Sequence, residues 1–480
     1  MAEDPQTSLR HASGNLDDTV ENDIDRHLNR TFRHPSWIES KSQIRLLRLA
    51  NRSNSAIPCE ADLDLCNVSD LPSTEYAALS YCWGEARSRQ DVRCITIHSQ
   101  QFAVRTNLFD FLQSNAASDL RTPIYIDAIC LDQRDVEERS NQVGLMSEIY
   151  RNASRTVVWL GSCPHEQESN MASLRDQLAD LELRNCPWNT ASLVGLSFLC
   201  SRVYWRRLWI VQELLLSKKV DIHCGDFIFD LTALVDLVSL PSTQQLLPES
   251  HDASWRDCWK IARPRNYAEQ SAQEGEIRDG WQPAVRLIHN RVKWLARRTD
   301  AGNAMPPSSG LPFHEALTAF RYHQCRERKD KVYALLGLLD EEGRSMMWSD
   351  YNCSKYSVFE QAAVTCLVSR WKSSDISARI GSQNYEDRQY CEMLASMLAL
   401  HDLDVEFGIS KATHGARSYM KEKDYAPGNT GQSVDLDEAH SQTIQQPLPR
   451  SHQSIGEGVG NGQCIFEQSL RLLRNELSSV

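Results

Sequence analysis

This chain of 480 residues lacks the short motifs that mark several common classes of enzyme. No Gly-x-Gly-x-x-Gly or Gly-x-x-x-x-Gly-Lys-Ser/Thr motif follows a strand-like run, which argues against an ordinary dehydrogenase or a P-loop enzyme. The 15 cysteines form no Cys-x-x-Cys pair and no zinc-type spacing with histidine. We therefore expect free, reduced thiols, no metal site and no bound cofactor.

The chain also lacks an excess of basic residues and long apolar runs. Its 52 Lys and Arg against 64 Asp and Glu give a net charge of −12, which argues against a broad nucleic-acid-binding surface. The longest weakly polar stretch, residues 191–200, is too short to cross a bilayer. Because the N-terminus is polar and has no secretory apolar segment, we expect a cytoplasmic protein without a membrane span.

Composition changes along the chain predict four regions. Residues 1–40 are polar and aperiodic, which predicts a flexible N-terminal arm. An α/β domain is expected at 41–230 and a mainly helical region at 231–400. Residues 401–480 are predicted to be a largely disordered tail with a terminal helix at 465–477, because 420–463 are rich in Gly, Gln, Ser and Pro.

Short apolar runs alternate with helical patterns in the second region. Residues 76–81, 124–129 and 157–160 are strand-like, and 135–151 have helical periodicity with Asp135 as N-cap. Residues 201–217 are predicted to form a buried helix. This alternation predicts an α/β fold with a largely parallel sheet flanked by helices.

In the helical region, Asp330 is a candidate N-cap. It precedes apolar residues at helical spacing, of which Val332, Leu335 and Leu339 are examples.

Polar and aromatic residues follow two of the predicted strands. Asp127 ends the second run, where it could bind a ribose hydroxyl or cap its own loop. Tyr81 and Trp83 end the first run, where aromatic rings could stack on a ligand or pack in the core. Gly84 permits a backbone turn that other residues resist.

Three ordered blocks resemble the fungal heterokaryon incompatibility (HET) domain family. They are residues 76–84 (YAALSYCWG), 124–133 (IYIDAICLDQ) and 204–213 (YWRRLWIVQE). Residues 328–338 and the pair Asp350 and Tyr351 resemble elements that often follow the domain. Asp132 stands where the family usually has Asn, and Cys82 stands where Thr or Val is common.

The resemblance implies a role in self/non-self recognition that ends in programmed cell death. It also implies a fold similar to Toll/interleukin-receptor (TIR) domains, which are flavodoxin-like. TIR-type NAD-cleaving enzymes carry Trp-x-x-x-Glu on a helix, and that pattern falls here on Trp209 and Glu213. Glu213 would then be catalytic, with NAD as the substrate.

The other residues that would surround NAD are Tyr81, Trp83, Gly84, Asp127, Gln133 and Trp209. Self-association and an upstream NLR-like or other incompatibility partner are implied as well. Two alternatives stay open: a non-catalytic docking module with a TIR-like surface, and an inactive relative. In either case Glu213 would pair with Arg206 or Arg207, or face solvent.

Overall fold

The computed structural model describes residues 29–35, 41–50, 60–84, 88–179, 189–234, 282–300, 310–373, 385–400 and 402–424. Most of the predicted arm and the predicted terminal helix at 465–477 lie outside these residues. The chain divides into two compact units. The first holds the described residues up to 300 together with 319–338 and 349–353, and the second holds 310–318, 339–348 and the described residues from 354 onward.

The first unit is built on one mixed sheet, whose strand order is β5-β4-β2-β1-β6-β3-β7-β8-β9. The strands that the described residues form are β1 (Gln43–Leu49), β2 (Glu60–Asn67), β3 (Ala77–Tyr81), β4 (Val92–Ile97), β5 (Gln100–Arg105), β6 (Ile124–Tyr125), β7 (Arg155–Trp159), β8 (Val220–Cys224) and β9 (Phe227–Asp230). Every residue of β3 is buried, as a central strand covered on both faces requires.

The prediction of a largely parallel sheet holds only for the centre. Strands β6, β3, β7 and β8 run parallel to one another, and β2 runs parallel to β4. Strand β1 runs antiparallel to both neighbours, and the outer strands β5 and β9 close antiparallel pairs. The β4–β5 and β8–β9 connections are tight hairpins, and strands joined by a tight hairpin must be antiparallel.

Helices flank the sheet and form the second unit. In chain order the described α-helices are α1 (Thr106–Gln113), α2 (Asn115–Ser118), α3 (Asp127–Cys130), α4 (Val136–Asn152), α5 (Glu168–Ala179), α6 (Thr190–Cys200), α7 (Ile210–Leu215), α8 (Gln282–Asp300), α9 (Phe313–Phe320), α10 (Asp330–Tyr333), α11 (Glu341–Met346), α12 (Lys355–Ser373), α13 (Tyr385–Leu398) and α14 (Asp402–Asp424). In the described part of the chain, no helix has both the length and the apolarity needed to cross a bilayer.

Two segments differ from the sequence expectation. The strand predicted at 124–129 is only two residues long, because the chain turns into α3 at Asp127. Helix α14 occupies 402–424, within the tail predicted to be largely disordered. It packs on α12, where Gly408 lies so close to the Phe359 ring that a Cβ atom would stand 2.6 Å from it.

Helix α4 begins as predicted and is tied to the sheet by a buried ion pair. Asp135 Oδ1 accepts hydrogen bonds from the backbone N–H groups of Glu137 and Glu138, each 3.0 Å long. The Glu138 carboxylate meets the Arg45 guanidinium of β1 in two contacts, of 2.8 and 3.2 Å. Both side chains are at most 5% exposed. The pair therefore joins β1 to α4 inside the first unit.

We expect Arg45→Met to destabilise the protein by about 3–5 kcal/mol, because it leaves the Glu138 charge buried without its partner. The double variant Arg45→Met/Glu138→Leu is expected to lose less, since neither charge remains. Chemical denaturation of the three proteins measures both differences. A double variant no more stable than Arg45→Met would contradict this account.

Candidate functional site

The chain reaches Glu213 through a broken helical segment. Residues 201–217 are not one helix as predicted: a 3-10 turn at Val203–Arg206 is followed by α7. Between them the backbone bonds elsewhere, with Leu208 N donating to Gln324 O at 2.7 Å and Gln324 N donating to Arg206 O at 2.5 Å. The break lets side chains from both pieces face β3.

Glu213 lies against β3, a central strand of the sheet. The Ser80 hydroxyl of β3 donates a hydrogen bond to Glu213 Oε2, and the Tyr204 hydroxyl lies 2.6 Å from Ser80 Oγ. Ser80 is fully buried, Tyr204 is buried and Glu213 is 4% exposed. A carboxyl, a serine hydroxyl and a phenol thus share one hydrogen-bonded chain in an otherwise apolar layer.

The surroundings of Glu213 change its acidity. Its pKa is raised to about 7. Burial is the main cause and the negative charge of Asp127 adds to it, whereas the charge of Arg207 and the Ser80 hydrogen bond act in the opposite direction. The Glu213 carboxyl therefore exists in both protonation states near neutral pH. Groups with such shifted pKa values are concentrated at functional sites.

Arg207 connects Glu213 with the end of β3. Its guanidinium donates to the carbonyl oxygen of Tyr81, the last residue of the strand. Its positive charge lowers the pKa values of both Glu213 and Asp127. Arg207 is half-buried, and its charge acts on both acids.

Asp127 is held by its own loop and by Trp83. Its Oδ1 accepts from Ala128 N at 2.8 Å, and its Oδ2 accepts from Trp83 Nε1 at 3.0 Å. Gln133 Nε2 donates to the Asp127 carbonyl at 3.3 Å. Burial raises the Asp127 pKa, while Arg207 and Trp83 act in the opposite direction. The cap position of α3 is held by Ile126, so the capping and the ribose-binding interpretations of Asp127 both stay predictions.

The remaining predicted site residues fall into two places. Gly84 has φ +79°, in the left-handed region that favours glycine, and its carbonyl accepts from Arg105. The Arg105 guanidinium lies 5.6 Å from the centre of the Trp83 ring. Tyr81 is buried in the core, whereas Trp209 turns its indole N–H to Asp330 at 3.0 Å.

The structure thus joins five predicted residues, Glu213, Tyr81, Trp83, Asp127 and Gln133, through direct contacts or through Arg207. Ser80 and Tyr204, which bond to Glu213 or to each other, were not singled out by sequence reasoning. Ser80 carried only a weak local signal, as the one serine in the apolar run 76–81. Among the described residues, no group of three or more His, Cys, Asp or Glu side chains is arranged to hold a metal ion.

Comparison with known proteins gives two positive findings. The family model described as heterokaryon incompatibility protein (HET) matches residues 76–213. The chain is similar to heterokaryon incompatibility protein 6, OR allele, of Neurospora crassa, with 32% identity over 159 residues. That alignment covers 30% of this chain, which spans only 22% of the length of that curated relative. Among solved structures, none matches this chain.

Replacing Glu213 by glutamine should change how stability depends on pH. The folded-state pKa of about 7 lies above the ordinary value of 4.5, so the folded protein holds an extra proton between these values. The Glu213 contribution to the free energy of unfolding is therefore full below about pH 4.5 and is lost as the pH rises through 7. Relative to the wild type, the free energy of unfolding of Glu213→Gln should rise by up to roughly 3 kcal/mol between pH 5 and 8. Denaturation at several pH values measures this gain, and a gap that does not change with pH would contradict it.

Proposed function

We propose that this chain, which carries a HET domain at residues 76–213, acts in fungal self/non-self incompatibility and triggers cell death by cleaving NAD. The incompatibility role is supported by the family match and by the name of the Neurospora crassa relative. The chemical step is a finer proposal and depends on the site around Glu213. We also propose that the fold is TIR-like, which is supported by the parallel strands β6, β3, β7 and β8.

The observation that carries the proposed chemistry is the buried Glu213 carboxyl beside β3. Ligands in α/β sheets are generally bound beyond the carboxyl ends of parallel strands. Ser80 is the penultimate residue of β3, and Asp127 follows β6, which pairs with β3 in parallel. Glu213, through Ser80, and Asp127 therefore lie at the carboxyl ends of two neighbouring parallel strands, β3 and β6.

In the proposed reaction, the bond between ribose C1′ and the nicotinamide nitrogen breaks. Nicotinamide leaves with the bonding electron pair as a neutral base, so it needs no proton from an acid. The ribose becomes oxocarbenium-like, and the ionised Glu213 carboxylate stabilises that positive charge. A water oxygen then bonds to C1′ and releases a proton to solvent, giving ADP-ribose.

Other residues have supporting roles in this proposal. Asp127 would accept a hydrogen bond from a ribose hydroxyl, and the half-exposed Trp83 ring would stack on a base. Glu213 is only 4% exposed, so the side chains packed around it must open before a substrate can reach it. We propose that self-association provides this opening.

The burial of Glu213 also supports a second candidate function. A carboxyl that already accepts a hydrogen bond from Ser80 inside the core can serve packing alone. The protein would then be a non-catalytic signalling module that docks a partner through its surface. The NAD measurement below separates the two functions.

We expect the concentrated protein, or the protein fused to an oligomerising domain, to release nicotinamide from NAD. The rate should rise with pH through about 7 and then level off, because the ionised Glu213 is the active form and its pKa is about 7. Glu213→Gln should lower the rate by at least about 100-fold. Chromatography of nicotinamide and ADP-ribose provides the measurement.

The matched control is Glu148→Gln, the same substitution on α4, at a side chain that is 42% exposed. It should retain the wild-type rate and pH profile. Absence of nicotinamide from the wild type at high concentration would refute the enzymatic proposal and favour docking. Equal release from Glu213→Gln and the wild type would refute the role of Glu213.

A further inference from the structure

The helix that carries Glu213 is too short to be stable on its own. Helix α7 has six residues, whereas isolated helices below about 12 residues are marginal in water. Its orientation must come from contacts with the rest of the first unit. Several of these contacts come from residues beyond the end of the family match at 213.

The contact at the start of α7 is made by Asp330. Sequence periodicity predicted this residue as a helix N-cap, and that prediction is wrong: Lys329 holds the N-cap position of α10. Asp330 is instead 8% exposed and accepts two hydrogen bonds from distant side chains. Trp209 Nε1 lies 3.0 Å from Oδ2, and the Tyr351 hydroxyl lies 2.5 Å from Oδ1.

Tyr351 is itself fixed to α4. The Arg139 guanidinium lies 3.9 Å from the centre of the Tyr351 ring, and Tyr351 N donates to Ser140 Oγ at 3.1 Å. Asp330 therefore stands between a rigid 17-residue helix and the first turn of α7. Its Oδ2 accepts a hydrogen bond from Trp209 at the start of α7, and its Oδ1 accepts one from Tyr351, which contacts α4.

Further contacts hold the rest of α7. Gln212 Nε2 donates to Tyr333 O at 3.4 Å, and a Cβ atom at Gly337 would stand 2.3 Å from Gln212 Oε1. At the other end, the buried Arg291 donates to the carbonyl oxygens of Leu215 at 3.1 Å and Ser217 at 2.8 Å. The helix is thus fastened along its length by residues from 291 to 351.

We propose that Asp330 is a positioning residue for Glu213: by fixing Trp209 at the start of α7, it sets the direction of the Glu213 carboxyl one turn later. Glu213 N donates to Trp209 O at 3.4 Å, so the two residues share the same helical turn. The consequence for the environment of the carboxyl is independent of any activity. The consequence for catalysis rests on the proposed function.

Asp330→Asn tests the proposal with little change of shape. Asparagine offers one acceptor oxygen in place of two, so either Trp209 or Tyr351 loses its acceptor. Tyr351→Phe is a milder variant that keeps the Asp330 carboxyl and removes a single donor. Asp350→Asn is the matched control, because it makes the same substitution on the segment beside Tyr351, at a half-exposed carboxylate bonded to Asn352 N and Cys353 Sγ.

The first measurement is a carbon-13 NMR titration of glutamate carboxyls, with the Glu213 signal identified by its absence in Glu213→Gln. A looser α7 admits water, so the Glu213 midpoint should move towards its ordinary value in both Asp330→Asn and Tyr351→Phe. The charges that act on Glu213 are those of Arg207 and Asp127, and both variants keep them, so a shift of the midpoint reports a change in the position of α7. Asp350→Asn should leave the midpoint unchanged.

The second measurement is NAD cleavage. We expect Asp330→Asn to lower kcat by about 10- to 100-fold, as expected for a misplaced catalytic group, and to leave KM within about twofold. A folded Asp330→Asn protein with the wild-type midpoint and kcat would overturn the proposal. If circular dichroism shows that Asp330→Asn does not fold, an unchanged midpoint in Tyr351→Phe overturns it equally.

The two proposals can fail separately. A wild type that releases no nicotinamide refutes the proposed function, and the titration still decides the positioning role. A wild type that cleaves NAD, with variants that do not shift the Glu213 midpoint or kcat, refutes only the positioning role.

Discussion

The hydrogen bond between Ser80 and Glu213 is the interaction around which the first unit is arranged. A carboxyl in an apolar layer is unfavourable unless polar groups surround it, and the surrounding chain supplies them. Ser80 comes from the fully buried central strand, Tyr204 from the turn before α7, and Arg207 from the break between the two. Because every residue of β3 is buried, the Ser80 hydroxyl meets the Glu213 carboxyl away from solvent.

Two buried glutamates of the same unit show how differently such a group can be satisfied. The Glu138 carboxylate forms a two-contact ion pair with the Arg45 guanidinium. Its charge is therefore neutralised locally, and its role is structural. Glu213 bonds to a neutral hydroxyl, and its pKa of about 7 leaves both protonation states accessible. The proposed reaction needs a carboxylate that can stabilise a developing positive charge, and the Glu138 carboxylate is already paired with Arg45, which is why Glu213 rather than Glu138 is the candidate for catalysis.

The sequence predicts those parts of the fold that depend on local pattern. Strand β3, helix α4 and its cap Asp135 are signalled by neighbouring residues, and the structure has them. Contacts between distant segments are not signalled in this way. The capping pattern at Asp330 was outweighed by bonds to residues 121 positions earlier and 21 positions later. The resemblance pointed to Glu213, whereas Ser80 became significant only when the fold placed it beside that acid.

The family match ends at residue 213, but residues that contact the site also lie beyond that position. Strand β1 lies between β2 and β6 and precedes the matched residues, so without it β6 would become an exposed edge. Strand β8 and Arg291 follow the match, and Arg291 binds the last carbonyls of α7. A fragment limited to 76–213 would keep Glu213 and Ser80 and lose the groups that orient them. The groups that support this site therefore come from β1 to Tyr351, and similarity in sequence marks only its centre.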